Sequence, residues 1–410
     1  MKYHAWFLAL TFSICSFAQT QTPTAQKRLD ATLLASDGHA GSSFGATVAV
    51  NGNIVAVGTA LPNSPVYLFH RLSKGTVNQI ATLSASDGAL LFSVAVGDNG
   101  SLVVAGAINE TIGNNPDQGA VYVFVEPQGG WTGNINETAK LTASDGGANN
   151  FLGSSVSTTN GVIVAGAYGF GNSQGKAYVY LEPQGGWTNG TETAQLKASN
   201  GQKGDSFGSS VSIEGPNVLV GAPLEGETEG MAYVFREPRG GWKSMTETAQ
   251  LTHGGGSGDF LGASVAVLGG KTSTALVGAP QASPRGAGYV FVEPRGGWVS
   301  TDTPTAILTA PKSPTSPHQC LGLGAAIEPE MIVLGDQCET YGHNGSELGD
   351  TYAYLTPKSG WHTYEGGIAI RPKAANYAYI PAVGENRVIV GAWGTNQAQG
   401  AAFIYTVPAK

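Results

Sequence analysis

The sequence predicts an all-β fold, a seven-bladed β-propeller of four-stranded antiparallel blades. Two facts of composition and one pattern point to it. Glycine supplies 60 of 410 residues, while Asp, Glu, Lys and Arg together make up only 12 %, against usual shares of about 7 % and about 25 %. Such a chain cannot be built of exposed amphipathic helices, because each interior glycine costs a helix ~1 kcal/mol relative to alanine. It is not disordered either, since 41 % of its residues are hydrophobic and disorder goes with low hydrophobicity. Short strands joined by tight turns suit this composition.

The pattern is a repeat. An apolar run ending in glycine occurs seven times, as VAVG, VVAG, VIVAG, VLVG, ALVG, IVLG and VIVG, closing at Gly58, Gly106, Gly166, Gly221, Gly278, Gly335 and Gly391. The spacings are 48, 60, 55, 57, 57 and 56. This run is the second strand of each unit. Before it stands an aromatic or apolar anchor, usually followed by glycine: Phe44, Phe92, Leu152, Phe207, the Phe260-Leu261-Gly262 copy, Leu321 and Tyr377. After it comes an alternating aromatic strand centred on Tyr67, Tyr122, Tyr178, Tyr233, Tyr289, Tyr352 and Phe403. A fourth short run is centred on Leu33, Leu83, Leu141, Leu196, Leu251, Leu308 and Ile370. Four β-rich runs separated by Gly, Asn, Asp and Pro make a four-stranded antiparallel sheet. One such sheet leaves two faces open, and stacking seven around an axis buries them all. The anchors are expected to bury ~150 to 250 Å² each between blades, with the adjacent glycine admitting a neighbouring backbone.

The order of the runs predicts how the ring closes. A fourth-strand segment, residues 31–36, precedes the first Phe-Gly, and the last unit stops after its third strand, residues 401–407. The N-terminal strand is therefore expected to complete the last blade, which pairs an otherwise bare edge.

Residues 1–18 read as a secretory signal, with Lys2 as the positive start, an apolar stretch over 5–15, and Ser16, Phe17 and Ala18 before the cut. Residues 19–30 form a short leading segment and 31–410 a single propeller domain. The apolar stretch is shorter than the ~20 residues of a spanning helix, so the mature chain is expected to be secreted, periplasmic or at the cell surface, with no membrane span, and monomeric. Without Lys2 the formal charge is 20 − 29 = −9, and no basic run exists, which argues against nucleic acid as a partner. Cys320 and Cys338 are a disulfide candidate across one repeat, worth ~3 kcal/mol; free buried thiols are the alternative. Four sequons, at Asn109, Asn136, Asn189 and Asn344, suit surface loops.

The stretches SFG (206–208), VGAP (220–223), the FLG and VGAP of the fifth unit, and the S-D-G loop before the Phe-Gly resemble the FG-GAP repeats of the integrin α-subunit N-terminal propeller, and more closely the secreted bacterial variety. The resemblance covers roughly residues 31–407. It implies a seven-bladed propeller used in adhesion or recognition, with calcium in some copies held by an acidic loop between the first two strands. Here those loops read NGN (51–53), GDNGS (97–101), TTNG (158–161), EGPN (214–217) and GEN (384–386). A calcium cage wants six to eight oxygens and several carboxylates, and no loop supplies more than one, so no cofactor or metal is expected.

Several motifs have both a structural and a functional reading. The S-D-G copies (Asp37, Asp87, Asp145, and Asn200 in the next) are read as tight turns, with a weak cation site as the alternative. The E-P-x-G-G-W motif, ending at Trp131, Trp187, Trp242 and Trp298 and weakened at Trp361, is read as a hairpin lock, with sugar stacking as the alternative. G-x-S-x-G at 41–45 and 204–208 matches a nucleophile elbow in letters only, because no helix pattern follows. The histidines are scattered, with no zinc-ligand spacing.

No catalytic constellation is expected. The loops joining second to third strands differ most between copies: residues 108–119, 168–175, 224–230, 281–286 and 336–350. They share one rim with the S-D-G loops, and loops on a rigid scaffold commonly carry recognition residues. Asn114, Asp117, Glu227, Arg285, Tyr341, His343, Asn344 and Glu347 are the candidate ligand contacts. The expected function is a secreted, non-catalytic module binding an extracellular protein or glycan. The alternative is a polysaccharide lyase or hydrolase with its site at the mouth of the central channel.

Overall fold

The computed structural model describes residues 27–61, 65–71, 77–282, 285–311, 320–336, 349–372 and 380–408. They form seven sheets. The innermost strands are Thr47–Asn51, Ser93–Gly97, Val156–Thr159, Ser210–Glu214, Ser264–Leu268, Leu321–Glu328 and Ile380–Gly384. Each lies against the next, and the last lies against the first, so the ring is closed. Around part of the channel, serine hydroxyls cover the free edges of these strands. Ser155 and Ser157 accept the N–H groups of Val211 and Ile213, and Ser212 accepts that of Val267, each at 3.0 Å.

Closure follows the expected route. Arg28–Leu33 pairs antiparallel with Ala401–Thr406, placing Leu33 opposite Ala402 and Arg28 opposite Thr406. The strand starts three residues before the expected residue 31. Leu33 is buried with Phe44, Val55, Tyr67, Ile389 and Ile404. Asp30 accepts hydrogen bonds from Arg28 Nε at 2.8 Å, Arg387 Nε at 3.2 Å and Thr406 Oγ1 at 2.5 Å. Burial opposes the charge on Asp30, but these bonds outweigh it and hold the carboxyl below its ordinary range.

The anchors sit between blades as expected, with one correction. Phe44, Leu152, Phe207, Leu261 and Leu321 are each at most 1 % exposed, whereas Phe92 is 44 % exposed and Leu91 takes the buried position. The second unit carries Leu-Phe-Ser where five of its sisters have a glycine after the anchor, so its chain enters one residue out of phase and the aliphatic side chain turns inward. Tyr377 lies outside the described residues. The residue before the anchor is left-handed in four copies: Ser43, Phe151, Ser206 and Phe260, with φ of 54°, 57°, 59° and 56°. This uncommon geometry makes the bend that sends the next side chain into the interface.

The repeated glycines are explained by close approach of neighbouring blades. A Cβ on Gly166 would stand 1.8 Å from the carbonyl oxygen of Gly208, and one on Gly391 2.2 Å from that of Gly45. The second-strand glycine of one blade thus lies directly against the glycine that follows the anchor and precedes the first strand of the next.

The blades are not all four-stranded. Gly133–Asn136, Gly190–Thr191, Met245–Thr246 and Tyr364–Glu365 each add a parallel fifth strand to the preceding sheet, and Thr301 makes one such bridge to Leu251. Each of these segments follows an E-P-x-G-G-W copy. The chain leaves the tryptophan, crosses to the outer edge of the previous blade, and returns to form its own fourth strand. Polar side chains before or within the crossing cover edge N–H groups: Asn189 Oδ1 accepts from Lys140 N, Ser244 Oγ from Gln195 N and Ser300 Oγ from Gln250 N. Exposed strand edges are thereby blunted.

Candidate functional site

The second-to-third-strand loops and the S-D-G loops share the upper rim, as the topology requires. They are bonded to one another across blade junctions. Asn149, Phe151 and Leu152 donate backbone N–H groups to Pro116, Asp117 and Gln118, and Ser206 donates to Ser173. A rim held by such bonds presents side chains from a rigid base.

Asn114 is exposed on this rim and Asp117 is half-buried, its Oδ1 accepting from Asn109 Nδ2 at 3.0 Å. Glu227 falls in the short helix Glu225–Thr228, and its side chain lies outside the described residues. Arg285 is half-buried and engaged: its guanidinium donates to Ala310 O at 3.4 Å and stands 3.5 Å from Glu365 Oε1. Tyr341, His343, Asn344 and Glu347 lie outside the described residues. The structure thus places Asn114 and Asp117 together on the loop of blade 2 and Arg285 away from them on blade 5.

Two rim residues absent from the sequence expectation stand beside Asp117. Phe151 and Tyr168 stack with ring centroids 5.1 Å apart and planes 15° apart. Burial, and then the charge of Asp117, push the Tyr168 hydroxyl above its ordinary pKa. These three side chains come from three loops at the junction of blades 2 and 3. Phe151 precedes the anchor Leu152, and only the left-handed backbone at Phe151 shows that its ring stays on the rim rather than entering the core.

The S-D-G loops are turns, closed by Gly38, Gly88 and Gly146 donating to Ala35, Ala85 and Ala143, and they do more than turn. Asp37, Asp87, Asp145 and Asn200 accept the hydroxyls of Tyr67, Tyr122, Tyr178 and Tyr233 at 2.7, 2.7, 2.8 and 2.9 Å. Each third-strand tyrosine therefore ends on the acceptor of its own blade's incoming loop. In blade 5 the aspartate is missing, and His253 stacks on Tyr289 instead, 4.4 Å apart.

The E-P-x-G-G-W tryptophans are on the opposite rim and serve as locks. Trp131, Trp187, Trp242 and Trp298 are each at most 6 % exposed, and Trp131 Nε1 donates to Gly100 O at 2.8 Å. Indoles so covered offer no face to a sugar; Trp361 is half-buried. The G-x-S-x-G serines are structural: Ser206 Oγ donates to Gly204 O at 3.4 Å, and a strand, Ser210–Glu214, follows. Cys320 is disulfide-bonded, while Cys15 and Cys338 lie outside the described residues. Among the described residues no three His, Cys, Asp or Glu side chains gather as a metal site. Nor is any helix there long and apolar enough to cross a membrane.

Comparison with known proteins agrees with this geometry. The FG-GAP repeat family model matches residues 28–67, 135–180 and 191–235. Sequence comparison with curated proteins gives no significant match. Among solved structures, the chain is similar to one in a crystal structure of the mitotic checkpoint complex, at 11 % identity and a TM-score of 0.55, covering 98 % of this chain and 100 % of that one. It is also similar to the WD40 β-propeller domain of Doa1, at 14 % identity and a TM-score of 0.51, covering 94 % and 98 %. Likeness at such identities shows the fold alone. Three regions of the chain match the FG-GAP repeat, and the chain as a whole closes into a seven-bladed β-propeller, a fold consistent with that of the integrin-like FG-GAP proteins.

Proposed function

We propose that the protein is an extracellular, non-catalytic recognition module that binds a protein or glycan through its upper rim. The observation that carries this reading is the junction of blades 2 and 3, where the stacked Phe151–Tyr168 pair and Asp117 meet on bonded loops. Flat aromatic surface with an adjacent carboxylate is the composition of a binding hot spot, and the rigid base lowers the entropy lost on association. The FG-GAP family supports a binding or adhesion role. The signal at residues 1–18 would direct the chain out of the cell, the mature protein acting as a monomer without calcium in its lower loops.

The test is a glycan array and a protein pull-down with the mature chain and with Tyr168→Ala. The variant should lose at least about tenfold in affinity for whatever the wild type captures, as a hot-spot truncation does. Wild-type binding by the variant refutes the rim assignment. Polysaccharide turnover by the purified chain, abolished by replacing carboxylates at the channel mouth, refutes the non-catalytic reading.

A further inference from the structure

We propose that a groove on the outer wall of blade 1 binds an amino sugar, with Asp37 as the counter-ion of its ammonium. The groove has a volume of about 480 Å³ and runs along the fourth strand Val77–Ser84, lined by Ser36, Asp37, Gln79, Thr82 and Asn134 among others.

The repeats, compared with one another, carry the assignment. In blade 2, the Asp87 carboxylate receives the Tyr122 hydroxyl and also the ammonium of Lys140, each at 2.7 Å. In blade 3, Asp145 receives the Tyr178 hydroxyl and the ammonium of Lys176. In blade 4 the acceptor is the neutral Asn200, and neither lysine position is basic: Gln250 stands opposite Tyr233, and Met231 two residues before it. Charge on the acceptor and charge on its neighbour thus vary together. Blade 1 breaks the pattern. It keeps the carboxylate, Asp37, bonded to the Tyr67 hydroxyl at 2.7 Å. Thr82 stands opposite Tyr67 where Lys140 stands opposite Tyr122, and Pro65 takes the place of Lys176. Among the described residues no cation rests on Asp37, and the space a lysine side chain would fill is the groove.

The rest of the lining selects the ligand class. Gln79 is bonded to Ser36 through both its amide oxygen and its amide nitrogen, and the Thr82 hydroxyl donates to Asn134 Oδ1. The second N–H of each amide and the remaining oxygen lone pairs still match the hydroxyls of a sugar ring, which both donate and accept. A lysine from a peptide would want an apolar wall for its methylenes and an aromatic face such as the Phe170 ring, whose centroid lies 3.6 Å from Lys176 Nζ in blade 3. The groove offers no aromatic ring, and only Pro65, Ile80 and Ala81 of its lining are apolar. The ammonium of a de-acetylated hexosamine on Asp37 makes the charge-assisted bond that Lys140 makes on Asp87.

The groove reaches the rim at the S-D-G loop of blade 1 but lies apart from the Asp117, Phe151 and Tyr168 patch at the junction of blades 2 and 3, and the two sites are told apart by variants. Calorimetry of the unglycosylated mature chain is run with a glucosamine tetramer and with the N-acetylglucosamine tetramer at mildly acidic pH. The free-amine oligomer should bind at least tenfold more tightly. Asp37→Asn should lose at least tenfold of that affinity at an unchanged melting temperature, because Asn200 already holds a tyrosine in this way in blade 4. Thr82→Lys should abolish binding without lowering the melting temperature, its ammonium taking the ligand's place. Tyr168→Ala should bind the sugar as the wild type does. Equal affinity for the two tetramers, wild-type affinity in Asp37→Asn, or no heat at millimolar sugar overturns the proposal. Binding of an oligolysine peptide through Asp37 with none of the sugar overturns the assignment of ligand class.

Discussion

Truncating Leu33 to alanine measures how much the ring depends on its N-terminal strand. Leu33 is 3 % exposed and packs with Phe44, Ile389 and Ile404 across the junction of blades 7 and 1. Leu196 holds the same repeat position in blade 3, 0 % exposed, in a blade with no chain terminus. Loss of three carbons costs about 2 to 2.5 kcal/mol in transfer, and the residual cavity raises the total for a buried leucine to about 2–5 kcal/mol. If the closing strand is docked as firmly as a continuous one, Leu33→Ala and Leu196→Ala lower the stability by amounts within about 1 kcal/mol of each other, a mid-sized effect for a buried leucine. Urea unfolding followed by tryptophan fluorescence reads both. A loss below about 0.5 kcal/mol for Leu33→Ala beside a full loss for Leu196→Ala would place Leu33 at a frayed edge and refute the closure argument. Deleting residues 27–36 should do far more, because it also bares the edge of Ala401–Thr406, and an exposed edge strand invites self-association. An unchanged melt of that deletion would rule out closure just as firmly.

Other expectations follow from single contacts. Gly166→Ala should cost about 1–3 kcal/mol or more, because blades 3 and 4 must part to admit the methyl group, whereas Gly240→Ala, with nothing within 4 Å of the added carbon, should be close to neutral in the same melt. Trp131→Phe should cost about 1 kcal/mol through the lost bond to Gly100 and leave ligand binding unchanged; a lost glycan signal would return the tryptophans to the binding surface. Burial opposes the charges on Asp87 and Asp145, but bonds from Lys140, Tyr122, Lys176 and Tyr178 outweigh it and hold both carboxyls below their ordinary range. A depressed folded pKa contributes stability that is present above the unfolded value of about 3.9 and is lost as pH falls through the folded one. The double variant Asp87→Asn, Asp145→Asn should therefore be less stable at neutral pH, and its stability should fall less steeply in acid; parallel acid limbs would count against these pairs. Calcium and chelator should give the same melting temperature, and a substantial rise with calcium would show that the lower loops bind it.

Much of the fold was legible because its signals are local. The alternation around Tyr122 or Tyr178, the glycine closing each second strand, and the phase of the repeat at the two chain ends each lie within a few residues, and a period of two or a breaker glycine has only one inexpensive backbone reading. Closure was legible for the same reason, since a fourth-strand run ahead of the first repeat has only the last blade to complete. The anchor of blade 2 was not, because Leu91 and Phe92 are equally apolar and only the entry phase of the chain decides which one turns inward. The fifth strands, the tyrosine–aspartate pairs and the Phe151–Tyr168 stack are hidden from the sequence for a deeper reason. Their partners lie from 17 to about 50 residues apart, within one repeat for the tyrosine–aspartate pairs and the stack and in neighbouring repeats for the fifth strands, beyond the reach of any alternation or turn pattern. The one-dimensional pattern determined how many blades there are and where the ring joins; which side chains meet was decided only when folding brought distant segments within bonding distance, because those contacts join stretches of chain that no local pattern links.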